Sequence, residues 1–124
     1  MRKIIAKNGP QALGPYVHAI EANGVLYVSG CVPINPSVGK VDATDIKGQT
    51  KQALANIETI LKEAGYVKEH IVKCNVFLTN LNDFADFNTV YADFFAGHKP
   101  ARVCVEVSKI AGGSLVEIDA TAVK

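Results

Sequence analysis

Ile71-Val72-Lys73-Cys74-Asn75-Val76-Phe77-Leu78-Thr79 is the stretch on which the architecture turns. Val72, Cys74, Val76 and Leu78 recur at every second position, the period of a half-buried strand. Segments of helical period lie on either side. Upstream, Ile46, Leu54, Ile57, Leu61 and Ala64 form one apolar stripe. Thr44 or Asp45 caps its start, and Gly65 closes it as the residue type that tolerates the left-handed conformation beyond a helix end. Gly48 is a poor helix former but falls in the first turn, where it costs little. Downstream, Asn82 or Asp83 caps a second helix. Its Phe84, Phe87, Tyr91 and Phe94 or Phe95 line up as an aromatic stripe, read most simply as core packing.

Farther out, Val17–Ala22 and Val25–Gly30 flank Asn23-Gly24, a dipeptide suited to a tight hairpin turn. A short apolar run at Lys3–Lys7 precedes Asn8-Gly9-Pro10, Gly14-Pro15 punctuates the next stretch, and Pro33, Pro36 and Gly39 form a loop. Two strands finish the chain, Arg102–Val107 and Leu115–Val123, joined through Gly112-Gly113 as a hairpin turn. The order is strand, two strands, helix, strand, helix, two strands. It predicts an α+β fold, a mixed sheet with both helices packed on one face, in a single domain spanning residues 1–124.

Composition narrows the function. Charged residues make up 20% and hydrophobic ones 48% of the chain, as in ordinary globular proteins. Thirteen Lys and Arg against twelve Asp and Glu leave a net charge of +1 with no run of one sign, which argues against nucleic acid or an anionic membrane as partner. No apolar stretch approaches the roughly 20 residues of a membrane span, and Met1-Arg2-Lys3 does not open a signal peptide. Cys31, Cys74 and Cys104 are odd in number and far apart, the pattern of reduced thiols. A cytoplasmic location is the corresponding expectation.

Strand alternation sorts two faces. Leu26, Val28, Val72, Val76, Leu78, Val103, Val105, Val107, Val116, Ile118 and Ala120 suit the helix-covered side. Tyr27, Ser29, Asn75, Phe77, Arg102, Cys104, Glu106, Leu115, Glu117 and Asp119 mix large apolar groups with charge on the other. That second face fits a wet interface between copies of the chain, or the half-solvated sheet of a monomer.

Local catalytic motifs are few. His18, His70 and His98 have no ligand-type spacing, and neither HExxH nor CxxC occurs, so no metal is expected and each His reads as a surface or turn residue. There is no GxSxG, which leaves Ser29 a structural hydroxyl, and no dinucleotide or phosphate-loop glycine pattern, so nucleotide binding has no local support. Arg102 and Glu117 remain. A final hairpin would bring them near one another on one face. Together they read either as a carboxylate-binding guanidinium beside a proton-shuttling acid, or as a structural cross-strand ion pair. Cys104 lies between them, as a nucleophile or as an inert half-buried thiol.

Several segments resemble the Rid family, also called YjgF or, in older usage, the L-PSP endoribonucleases. They are Gly14-Pro15-Tyr16, Val28-Ser29-Gly30, Asn82-Asp83-Phe84 leading to Asn88, Pro100-Ala101-Arg102-Val103-Cys104-Val105-Glu106-Val107 and Val116-Glu117-Ile118. The likeness runs from about Ile4 to Val123 and is nearest to the RidA branch of imine deaminases. It implies a chorismate-mutase-like fold assembled as a homotrimer with sites in the clefts between subunits. It also implies cofactor-free hydrolysis of small 2-imino acids to 2-oxo acids and ammonia. By the same likeness Arg102 takes the substrate carboxylate, Glu117 positions or activates water, and the backbone of Cys104 accepts from the imine nitrogen. Gly30 adds a backbone contact, while Ser29, Tyr16 and Asn88 line the pocket, Tyr16 from an adjoining subunit.

Cys31 and His18 stand where the family often has Gln, and Ala96-Gly97-His98-Lys99 is a shortened approach to Pro100; these bear on substrate side-chain preference. Two other functions stay open: an RNA-cleaving translation inhibitor, which the older family name suggests, and a non-catalytic trimer that binds small carboxylates.

Overall fold

The computed structural model describes all residues, Met1–Lys124. Eight strands and two main helices follow in the order β1 (Arg2–Ile4), β2 (Ala19–Ala22), β3 (Val25–Cys31), β4 (Ile34–Asn35), β5 (Lys40–Val41), α1 (Ile46–Ala64), β6 (Ile71–Leu78), α2 (Phe84–Phe95), β7 (Ala101–Glu106) and β8 (Val116–Val123). Six strands form one mixed sheet ordered β1-β2-β3-β8-β6-β7, in which only β6 and β7 run parallel. Both helices cover the same face, so the α+β layout expected from the sequence holds. The small β4–β5 hairpin lies within what the sequence presented as a plain proline-rich loop.

Local chemistry explains most boundaries. Asn23 and Gly24 both have positive φ, 52° and 78°, giving the β2–β3 turn the backbone twist that matches its strands. Asp45 caps α1 by accepting the Gly48 N–H at 2.9 Å, and Gly65 ends it at φ 80°. The start of α2 differs from expectation. Asp83 makes no side-chain cap; Asn80 instead accepts the Asn82 N–H at 2.9 Å and opens a 3₁₀ turn, Leu81–Asp83, that leads into the helix.

The core gathers Leu26, Cys74, Val76, Leu78, Val116, Ile118 and Ala120 from the sheet with Leu54, Ile57, Leu61, Phe87, Tyr91 and Phe95 from the helices. Val72 is not among them. The β6–β8 register shifts between Ile71 and Lys73, so Ile71 turns inward while Val72 is 47% exposed. One bulge displaces the start of the expected alternation.

A larger correction concerns the end of the chain. β7 and β8 do not form a hairpin: β6 lies between them, pairing with β7 on one side and β8 on the other. α2 acts as the crossover that a parallel β6–β7 pair requires. The segment after β7 therefore passes back over β6, through a 3₁₀ turn at Ala111–Gly113, before β8 begins. Pairing Cys74 with Arg102 and Val76 with Cys104 sets Arg102, Cys104 and Glu106 on the helix side. Val103 and Val105 face outward, 45% and 40% exposed, the reverse of their expected placement.

Two buried amides of α1 fix the loops beside the sheet. Gln49 donates to the Ala43 carbonyl at 2.9 Å and accepts the Leu115 N–H at 2.7 Å, holding the entry to β8. Asn56 donates to the carbonyls of Val32 (3.2 Å) and Ile34 (2.9 Å), which ties down the chain leaving β3. Asn56→Ala strands both carbonyls in a dry site. Each buried polar group left unpaired costs about 1–3 kcal/mol, so urea unfolding should show a loss of about 2–4 kcal/mol; a loss below about 0.5 kcal/mol would mean water replaces the amide.

Candidate active site

The residues singled out in the sequence fall into two groups. The first lies on the open face. A bulge in the β3–β8 ladder between Val28 and Cys31 puts Ser29 and Gly30 beside Glu117. Gly30 matters for its missing side chain: a Cβ there would lie 2.8 Å from Glu117 Oε2 and 3.0 Å from its Cδ, so the carboxyl rests against bare backbone. Ser29 donates its hydroxyl to the Val17 carbonyl at 2.7 Å, and its N–H to the His18 carbonyl at 2.9 Å, fastening the segment behind Tyr16 to the sheet. The Tyr16 oxygen accepts the Leu13 N–H at 3.2 Å, which leaves the phenol proton free to donate. Leu13, Gly14, Pro15, Tyr16, Ser29, Gly30 and Glu117 wall a cleft of about 510 Å³.

Glu117 is electrostatically isolated. Asn75 donates its backbone N–H and its amide to neighbouring Asp119, at 3.0 Å each, whereas the Glu117 carboxyl receives no hydrogen bond and no ion pair. Burial, with Asp119 adding like charge, holds the Glu117 carboxyl above the usual range for glutamate. An acid of that kind exchanges protons nearer neutrality, as a general acid–base group must.

The second group lies at the β7 edge, on the helix side. Arg102 Nη1 donates to Asn88 Oδ1 at 2.8 Å. Its guanidinium carbon sits 4.9 Å from the Tyr91 ring centroid, with Phe84 and Phe87 at 5.5 and 5.7 Å. No carboxylate pairs with it. Ring faces attract a cation without consuming its in-plane donors, so the fork is oriented and left partly unspent. Arg102 also lines a cleft of about 330 Å³ with Tyr91, His98, Lys99 and Pro100.

Cys104 follows on the same strand. Burial holds its thiol above the ordinary range, and burial raises Cys31 to about 12 and Cys74 to about 11, so none is poised as a thiolate nucleophile. The Cys104 backbone is different. Val107 donates its N–H to Leu78 at 2.8 Å, and alternation along the ladder then turns the N–H and C=O of Cys104 off the free edge of the sheet.

One chain therefore does not bring the two groups together. Arg102 is level with the core residue Cys74, Glu117 is level with Phe77 on the open face, and β6 runs between their strands. The cross-strand ion pair considered from the sequence is excluded by this topology. Sequence reading also missed the second use of the α2 stripe: Phe84, Phe87 and Tyr91 sit at i, i+3 and i+7, the spacing that lets one helix present several rings to a single cation. His18 was misplaced as well. It is 7% exposed, and both ring nitrogens are engaged.

Comparison with known proteins bears on the sequence and the fold. The family model described as Endoribonuclease L-PSP matches residues 6–124. A RutC family protein of Pyrococcus horikoshii is 46% identical over 121 residues, covering 98% of this chain and 96% of the relative. The 2-iminobutanoate/2-iminopropanoate deaminase of Escherichia coli is 42% identical over 128 residues, covering 100% of this chain and 99% of the relative. A crystal structure of a Rid family protein from Yersinia pestis superimposes with a TM-score of 0.96 at 48% identity, covering 99% and 98% of the two chains. With its fold and nearly its whole length matched, this chain belongs to the Rid family, the YjgF or L-PSP proteins.

Proposed function

We propose that the protein is an imine deaminase whose catalytic unit is made between copies of the chain, in a homotrimer. Arg102 carries the reading: an oriented, aromatic-walled guanidinium with no carboxylate of its own is a receptor for a small carboxylate. The substrate class is the 2-imino acid, in keeping with the deaminase name of the Escherichia coli relative. Self-association is favoured by an open sheet face that exposes Tyr27, Val103 and Val105, and by β7 as an unpaired edge.

In this mechanism Arg102 of one copy binds the carboxylate, and Asn88 keeps the guanidinium in plane. The backbone carbonyl of Cys104 accepts from the iminium nitrogen. Glu117 of a neighbouring copy takes a proton from water as the oxygen attacks the imine carbon, giving a carbinolamine. The same carboxyl returns the proton to nitrogen. The C–N bond then breaks with its electron pair leaving on ammonia, while the carboxylate, now ionised again, takes the carbinolamine hydroxyl proton; the 2-oxo acid remains. Tyr16 keeps its phenol proton and offers it across the pocket as a hydrogen bond. Small imines already hydrolyse in water, so orientation and one proton relay are sufficient chemistry; positioned acid–base groups commonly give about 10²–10⁴-fold.

The test generates a 2-imino acid with an amino-acid oxidase and follows ammonia release. Wild-type protein should accelerate it. Arg102→Ala should lose at least about tenfold in kcat/KM, the worth of a charged hydrogen bond, and Glu117→Gln about 10²-fold in kcat with KM little changed. Since Glu117 acts ionised and is held above its ordinary range, the acid limb of kcat should lie above the usual glutamate pKa of about 4.3. Acceleration by both variants equal to wild type contradicts the assignment. RNA cleavage abolished by Arg102→Ala would instead favour the ribonuclease function.

Stability supplies an independent check. A carboxyl whose pKa is raised on folding favours the folded state only when protonated, and that contribution is lost as pH rises through its folded value. Glu117→Gln should therefore raise the urea midpoint at pH 8 relative to wild type, with the gap closing as pH falls toward 4. A midpoint lowered at pH 8 would make Glu117 a structural residue.

A further inference from the structure

The cleft that holds Glu117 is closed on one side by residues 10–16, a loop with almost no anchorage. Its hydrogen bonds are local, Tyr16 N–H to Gly14 and Leu13 N–H to the Tyr16 oxygen, with one exception. His18 Nε2 lies 2.7 Å from the Pro10 carbonyl, and His18 Nδ1 lies 2.9 Å from the Ala6 N–H. A carbonyl only accepts and an N–H only donates, so the ring must be neutral, with its proton on Nε2. The imidazole is itself fixed to the sheet: the His18 N–H reaches Ile4 at 3.0 Å, and its carbonyl takes the Ser29 N–H at 2.9 Å. Gly9 lies close against it: a Cβ there would be in van der Waals contact with the ring at 3.4 Å.

We infer that His18 is a positioning residue that clamps the Pro10–Tyr16 loop over the Glu117 cleft, and that only its neutral ring closes the clamp. A second ring proton would sit on Nδ1 and face the Ala6 N–H, donor against donor. The ring then loses its bond to Ala6 and is pushed out of the position in which its Nε2–H meets the Pro10 carbonyl. Acid that adds this proton therefore releases the loop. Around the ring, the titratable side chains lining its two flanking clefts are Lys7, Tyr16 and Cys31, none of which offers an anion to hold an imidazolium. From α1, Glu63 accepts the Lys7 N–H at 3.4 Å and is thereby engaged at the loop's base. Glu117 stands across the adjoining cleft beside Gly30 and Tyr16.

The functional consequence rests on the deaminase reading, but the clamp itself does not, so loop protection and turnover are measured separately. Amide hydrogen exchange of the intact protein, normalised to intrinsic rates, is followed at pH 7.5 and 5.5. In the wild type, protection of the Ala6 amide and of residues 11–17 should fall several-fold at the lower pH, one-proton linkage limiting the change to about tenfold per pH unit. His18→Gln should abolish that pH response while keeping the loop protected, because a primary amide offers one acceptor and one donor much as the neutral ring does. His18→Leu should leave the loop unprotected at both values, and His18→Gln still decides the matter where His18→Leu does not fold. Equal pH responses in wild type and His18→Gln overturn the inference, as does a folded His18→Leu with a protected loop. In the ammonia assay, His18→Gln should hold wild-type kcat/KM at pH 7.5 and exceed it at pH 5.5. Absence of an exchange response in the wild type refutes the clamp, whereas absence of turnover in every variant refutes only the deaminase.

Discussion

β6 separates β7 from β8, and most of what is distinctive in this molecule follows from that placement. A parallel β6–β7 pair bridged by α2 aligns Arg102 with Cys74, which faces the helices. The antiparallel β6–β8 pair aligns Glu117 with Phe77, which faces away. Two residues only fifteen apart in sequence thus emerge on opposite sides of one sheet. Neither finds the other as a partner, and neither finds a substitute within the chain. On the proposed function, the free guanidinium at a sheet edge and the free carboxyl on a sheet face are complementary halves that a second copy brings together.

Both halves lack a partner of opposite charge. Arg102 is held by rings and by Asn88 with no carboxylate beside it, while Glu117 lies on glycine backbone next to another acid. A sequence selected for stability alone would pair these charges or replace them. The neighbouring Asp119 shows the contrast, since Asn75 satisfies it with three hydrogen bonds. The fold supports the strained residues through ordinary devices: the bulge at Ser29-Gly30, the amides of Gln49 and Asn56 that fix adjoining loops, and the aromatic face of α2. The proposed deaminase needs little more, because its reaction calls for a held carboxylate and a mobile proton.

Much of this was legible in the residues. Asn23-Gly24 located the hairpin because both positions need positive φ. Asp45 and Gly65 bounded α1 because capping chemistry is local. The face of β7 was not legible, since Arg-Val-Cys-Val-Glu alternates equally well either way round, and the choice depends on which strand it joins. That choice is topological. Gly112-Gly113 looked like a hairpin turn for the same reason, although both glycines do take positive φ. His18 was out of reach in a different way: no spacing announces that one imidazole will bridge Ala6 and Pro10, because the partners are backbone groups that every residue carries. The residue types of the candidate site were recognisable from the family likeness, whereas their division between two faces was not.

Complementation between two damaged chains tests the shared site most directly. Arg102→Ala and Glu117→Gln proteins are unfolded together, refolded as an equimolar mixture, and assayed for ammonia release beside each parent refolded alone. If each site draws Arg102 from one copy and Glu117 from another, about a quarter of the sites in a randomly mixed symmetric oligomer carry both native residues. Activity should then rise to about a quarter of the wild-type level, far above the parents. A mixture no more active than the sum of its parents, in oligomers shown to contain both chains, would contradict a site built between copies.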